Sequence, residues 1–179
     1  MRRRNLVLAA AVATATVAAT AGITAGADGG HSHGDHLAEI RDVTARYRKV
    51  EQAVDAGYTQ FFGCIHEPLA GSMGVHFVNG ALASDAVIDP ATPEAVMYEV
   101  LANGKLSLVG VEYVVFQSTW DAENTEPPAL FGETFNLVTE PNRYGIPAFY
   151  ELHAWAWKEN PTGAHQDWNP QVVCTTPDR

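Results

Sequence analysis

Between Asp35 and Gly57 the apolar residues recur at Leu37, Ile40, Val43, Tyr47, Val50 and Val54. Steps of three and four put them on one stripe of a helix. Arg41, Arg46, Arg48, Lys49 and Glu51 fill the other face, and Gly57 suits its end. The pattern predicts a long amphipathic helix lying on a sheet. The stretch from Phe61 to Gly74, with Gly63, Pro68 and Gly71, reads as a loop, and Val75 to Val78 as a short strand. Pro90 and Pro93 mark Ala83 to Glu94 as a connection.

The clearest local signal is a hairpin. Ala95–Ala102 and Lys105–Phe116 are β-rich runs joined by Asn103-Gly104, the sequence of a type I′ turn. A two-residue turn there opposes residues whose numbers sum to 207, so Glu112 faces Ala95 and Glu99 faces Leu108. Met97, Glu99, Leu106, Leu108 and Glu112 then share one face, and Val96, Tyr98, Val100, Val109, Val111, Tyr113 and Val115 form an apolar core face. A bulge at Gly110 would change that register. Trp120 to Pro128 reads as an acidic loop, Ala129 to Val138 as a short helix, and Ala148 to Trp157 as a strand. That last strand places Phe149, Glu151, His153, Trp155 and Trp157 on one face. The predicted class is α+β, one long N-terminal helix on a mainly antiparallel sheet of four to five strands.

The N-terminus changes the compartment. Arg2-Arg3-Arg4 precedes an uncharged Ala/Val/Thr-rich run that ends in Ala25-Gly26-Ala27. Basic residues, apolar run and small-x-small site predict a cleaved signal peptide over residues 1–27 rather than a membrane anchor. Arg3-Arg4-Asn5-Leu6-Val7 also partly matches a twin-arginine signal. Residues 28–36, with His31, His33 and His36, read as a flexible His-rich tail, and 37–179 as a single globular domain. The expected location is secreted or periplasmic, with no stable membrane anchor after processing.

Charge narrows the partners. The chain has 11 Lys+Arg and 21 Asp+Glu, and loss of the three leader arginines leaves 8 basic residues against 21 acidic ones, about −13. So acidic a protein disfavours nucleic acid and suits a small molecule or a metal ion. Two cysteines outside the cytoplasm favour a disulfide between Cys64 and Cys174 over a thiolate metal site, since no C-x-x-C occurs.

Candidate chemistry follows from the histidines and strand glutamates. Glu151 and His153, two apart on a strand, project side by side and suit one metal. His66 follows Cys64, and His76 lies on the short strand. The expected metal ligands are His66, His76 and His153, with one of Glu99, Glu151 or Glu112 as fourth ligand or base, around a divalent Zn, Cu or Fe. Glu99 and Glu151 are the catalytic candidates, and Tyr113, Trp155 and Trp157 a candidate ligand pocket. No H-E-x-x-H, G-x-S-x-G, P-loop or dinucleotide motif is present. Two other readings remain open: a module holding a small apolar ligand on its aromatic strand face, and a non-catalytic envelope protein.

The runs Gly63-Cys-Ile-His66, Gly71–Asn79, Leu108–Tyr113 and Ile146–His153 resemble segments of exported bacterial proteins without an assigned activity. That resemblance implies export and carries no catalytic residue over.

Overall fold

The computed structural model describes residues 33–174. The signal peptide expected over 1–27 lies outside the described residues, as does most of the expected tail. The chain is mostly sheet. Strands β1 (Thr59–Glu67), β2 (Gly71–Val78), β3 (Ala95–Val100), β4 (Leu106–Phe116), β7 (Asn136–Val138) and β8 (Phe149–Ala154) form one antiparallel sheet in the order β1-β2-β3-β4-β8-β7. A separate ribbon pairs β5 (Ala129–Leu130) with β6 (Glu133–Thr134). The helices are short: α1 (His33–Thr44), α2 (Val50–Asp55), α3 (Gly80–Ala83) and α4 (Gln117–Trp120).

The expected long helix on four or five strands is therefore corrected to six strands with short helical segments. The periodicity to Val54 is real, but tertiary hydrogen bonds break the helix. The Thr44 hydroxyl donates back to the Ile40 carbonyl at 2.5 Å and accepts the Trp157 indole N–H at 3.0 Å. Such back-bonding bends a helix. The Tyr47 carbonyl accepts the Tyr98 hydroxyl at 2.6 Å, a 3-10 turn spans Ala45–Arg48, and Lys49 is extended at φ −103°.

The expected loop from Phe61 to Gly74 is a hairpin of β1 and β2. Its strand pattern is masked by a bulge: Gln60 pairs with Phe77 and Cys64 with Val75, so Phe61, Phe62 and Gly63 lie opposite the single residue His76. The expected helix from Ala129 to Val138 is β5, β6 and β7. Phe131 and Gly132 both take positive φ, 57° and 82°, which makes a tight turn between β5 and β6.

The β3–β4 hairpin keeps the 207 sum from Ala95↔Glu112 to Met97↔Gly110 and loses it beyond. Nearer the turn Tyr98 pairs with Leu108 and Val100 with Leu106. The loop is three residues long, with Leu101 N–H donating to the Lys105 carbonyl at 2.9 Å and only Gly104 at positive φ, 77°. A bulge at Val109 compensates. It turns Leu106 and Leu108 onto the main core face and puts Val109 with Met97 and Trp155 on the other. Gly110 is needed beside it, since a Cβ there would stand 2.7 Å from the Ala154 carbonyl.

The main core packs Phe77, Tyr98, Val111, Tyr113 and Leu152 against Ile40, Tyr47 and Tyr58. The opposite face carries the polar cluster described below. Among the described residues, no helix is long and apolar enough to cross a membrane. Cys64 and Cys174 form the expected disulfide, with Cα atoms 5.5 Å apart and a separation of 110 in sequence. It holds the C-terminal segment to β1 just past the Phe61–Gly63 bulge. Replacing both cysteines by Ala is expected to lower stability by about 2–4 kcal/mol, as for a loop of this length. Urea unfolding with an unchanged midpoint would show that the bond is dispensable.

Candidate metal centre

Four strands deliver the site. His76 on β2 pairs with Met97, Ala95 on β3 with Glu112, Glu112 on β4 with His153, and Val114 with Glu151. Paired residues share a face, as do residues two apart. His76, Ala95, Glu112, Glu151 and His153 therefore stand together on the face opposite the main core. β3 lies between β2 and β4, and the small Ala95 leaves room for His76 and Glu112 to meet above it. The bulge in β1 keeps that strand from closing over His76.

His76 Nε2 lies 3.5 Å from Glu112 Oε2, and His153 Nε2 lies 3.9 Å from Glu112 Oε1. The two imidazoles meet edge to face, with centroids 6.1 Å apart. On the far side of His153, Nδ1 lies 3.5 Å from Asp167 Oδ1. All three separations are too long for good hydrogen bonds, and each is an ion pair only where its imidazole is protonated. His76 Nδ1 and both ring nitrogens of His153 are buried without a hydrogen-bond partner of proper geometry. A buried polar atom left so costs on the order of 1–3 kcal/mol.

The surroundings fix the rings. Trp155 stacks on His153 at 6.2 Å and 15°, and its indole N–H donates to the Gln166 carbonyl at 2.6 Å. The Trp155 amide donates to the Ala164 carbonyl at 3.0 Å. One tryptophan thus clamps both His153 and the loop bearing Asp167. Asn136 on β7 donates to Asp167 Oδ1 at 2.9 Å and aims that carboxylate. A carboxylate behind a ligand histidine is the usual support for a metal-bound imidazole.

Electrostatics differ around the two rings. Burial pushes the His76 imidazole below its ordinary value and outweighs the pull of Glu112. For His153 burial acts the same way, but Glu112, Asp167 and Glu151 reverse it and bring it up to about 9. Glu151 is raised well above the carboxylate range by burial and by neighbouring Glu112. Asp167 is held below its usual value because its contact with His153 overcomes the burial that would raise it.

Two overlapping groups have donor atoms all within 4.8 Å of one another: His76, Glu112 and His153, and Glu151, His153 and Asp167. An ion with bonds of about 2.0–2.2 Å holds its donors roughly 3–4 Å apart. In the first group the two histidine–carboxylate separations, 3.5 and 3.9 Å, match that spacing.

Of the residues expected from sequence, His76, His153 and Glu151 come together, with Glu112 between the histidines. His66 is exposed on β1, opposite Ser72, and does not join them. Glu99 faces Ser107 across the shifted register and pairs with Lys158. Tyr113 lies in the main core, where its hydroxyl donates to the Pro90 carbonyl at 2.9 Å. Trp155 flanks His153. Trp157 lies past the end of β8 and turns to the helical side, where Arg48 sits 5.4 Å above its ring. Asp167 and Tyr144 were not legible. Asp167 sits in a loop without ligand spacing. Tyr144, in the turn before β8, is raised in pKa by burial and then by Glu112, Glu151 and Asp167.

Comparison with protein families, with curated proteins and with solved structures returns no match for this chain.

Proposed function

We propose that this is an exported metal-binding protein, in which His76, His153 and Glu112 hold one divalent transition metal for chemistry on a small molecule. The observation that carries the reading is the pair of buried imidazoles whose Nε2 atoms are set 3.5 and 3.9 Å from the two oxygens of one carboxylate, that of His153 without a hydrogen bond. Two imidazoles and a carboxylate suit Zn(II) and Fe(II) better than a copper site built on thiolate or thioether. Glu151 is a further ligand or a proton carrier beside the ion. Asp167 positions His153 through Nδ1, leaving Nε2 for the metal. A bound ion would polarise a substrate oxygen or acidify a water. Three protein donors leave positions open toward the cavity that reaches His76 and Glu112.

Export belongs to the same reading. The leader pattern of Arg2 to Ala27 and the Cys64–Cys174 disulfide are both compatible with an oxidising compartment.

Elemental analysis of residues 28–179, purified without an affinity tag or chelator, tests the proposal. About one equivalent of one transition metal is expected in the natural chain. His76→Ala and His153→Ala should each hold less than a tenth of that while keeping a native circular dichroism spectrum. Glu112→Gln serves if the His153 variant fails to fold. His66→Ala should keep its metal. A natural chain that takes up neither Zn(II), Fe(II), Mn(II) nor Cu(II) would overturn the proposal.

A further inference from the structure

A cavity of about 250 Å³ opens beside the metal centre. Its inner end is formed by His76 and Glu112, and its walls by Phe61, Ile65, Val114, Phe116, Tyr144 and Phe149, among others. Its place follows from the fold. The Phe61–Gly63 bulge bows β1 away from β2 opposite His76. Val114 and Phe116 continue the site face of β4 past Glu112, and Phe149 continues that of β8 past Glu151. Phe62, next to Phe61 in sequence, meets the Tyr144 ring edge to face, with centroids 5.6 Å apart. Phe61 itself stays 43% exposed.

We infer that this cavity binds a small, mainly apolar organic molecule without a cationic group, of roughly eight to twelve non-hydrogen atoms, with one oxygen function turned inward to His76 and Glu112. The size follows from volume: about 150 Å³ of apolar cavity holds benzene, so 250 Å³ takes an aromatic or branched alkyl body with a short substituent. The lining contains no Lys or Arg to meet an anionic substituent along the walls. With Glu112 engaged by the ion, no carboxylate remains there for an ammonium group, and desolvating that cation would go uncompensated. A carboxylate would find its counter-charge at the ion alone. A neutral hydroxyl or carbonyl needs one partner, at the inner end. The inward orientation rests on the metal reading; the apolar body rests on the cavity alone.

Calorimetric and ligand-observed NMR titrations with benzyl alcohol, benzoate and benzylammonium test this on zinc-loaded and metal-free protein. Benzyl alcohol should bind the zinc-loaded protein at least tenfold more tightly than benzylammonium, and benzoate should bind the metal-free protein at least tenfold more weakly than the zinc-loaded one. Val114→Phe and Ala83→Leu, which place extra carbons in the cavity, should each weaken benzyl alcohol at least tenfold while keeping their zinc. A zinc-loaded protein that ignores benzyl alcohol, or prefers benzylammonium, overturns the inference and leaves the metal centre standing. Equal binding to the natural chain and both filled variants also overturns it. If the protein takes up no metal but binds benzyl alcohol in a way both variants abolish, the cavity assignment holds and the metal reading fails.

Discussion

Saturating zinc is expected to raise the melting temperature of the metal-free protein by about 8–16 °C, and a chelator should reverse it. The magnitude comes from mass action. A ligand bound only by the folded state, at a thousand times its dissociation constant, stabilises by about 4 kcal/mol, and each kcal/mol moves a domain of this size by about 2–4 °C. The folded chain has reason to respond. It buries His76, Glu112, Glu151 and His153 to 6% exposure or less, yet leaves three ring nitrogens without hydrogen bonds. An ion between His76, Glu112 and His153 takes up His153 Nε2, one of those three, and gives Glu112 a close counter-charge. Without an ion, the counter-charge that the described residues bring to Glu112 and Asp167 is a protonated His153, held at ion-pair distances. Scanning calorimetry with and without zinc reads the effect, and His76→Ala should remove it. A shift under about 2 °C in the natural chain would mean that the buried ion pairs need no metal.

The sequence exposed the parts of this site that regular strands carry. Glu151 and His153 were legible because β8 runs without a bulge, so alternate residues stay on one face. Ala95 opposite Glu112 was legible because the 207 sum holds on that side of Val109. Beyond the bulge the same arithmetic put Leu106 and Leu108 on the wrong face and gave Glu99 the wrong partner, since one extra residue in β4 exchanges that strand's faces. The β1 bulge had a larger effect. It erased the alternation of Phe61 to Ile65, so a strand read as a loop, and the aromatic wall of the cavity went unseen. His66 looked equivalent to His76 by residue type, yet its side chain is exposed on β1 while His76 is buried on β2. The helix failed for another reason. Its periodicity is local, whereas Thr44 and Tyr47 are claimed by Trp157 and Tyr98 from more than fifty residues away in sequence. Asp167 joins only because Trp155 and Asn136 hold its loop, and no spacing rule reports such a contact.

Glu94→Gln is expected to make the protein more stable than the natural chain at pH 9 but not at pH 5. Glu94 ends the connection into β3, is 1% exposed, and accepts the Val114 N–H at 2.9 Å through Oε2. The described groups beside it, Tyr58, Tyr113, Asp85 and Glu112, carry no positive charge. Tyr58 and Tyr113 donate their hydroxyls to the Pro93 and Pro90 carbonyls, and Asp85 and Glu112 are themselves acidic. Burial, only partly offset by backbone hydrogen bonds, pushes the Glu94 carboxyl up to about 8. The folded chain therefore holds a proton that the unfolded chain releases near 4.5. The unfolded state then binds fewer protons between those values, so this contribution falls as pH rises through that window and levels off above it. The gap sets a ceiling of about 5 kcal/mol, at roughly 1.4 kcal/mol for each pH unit crossed. Glutamine keeps an oxygen for the Val114 N–H and carries no charge at any of these pH values. Urea unfolding of both proteins from pH 5 to pH 9 gives the difference directly. It should grow in favour of the variant from pH 5 to about pH 8 and then stay constant. A difference independent of pH would place the ionised carboxylate in the folded protein throughout, with a counter-charge beside Glu94.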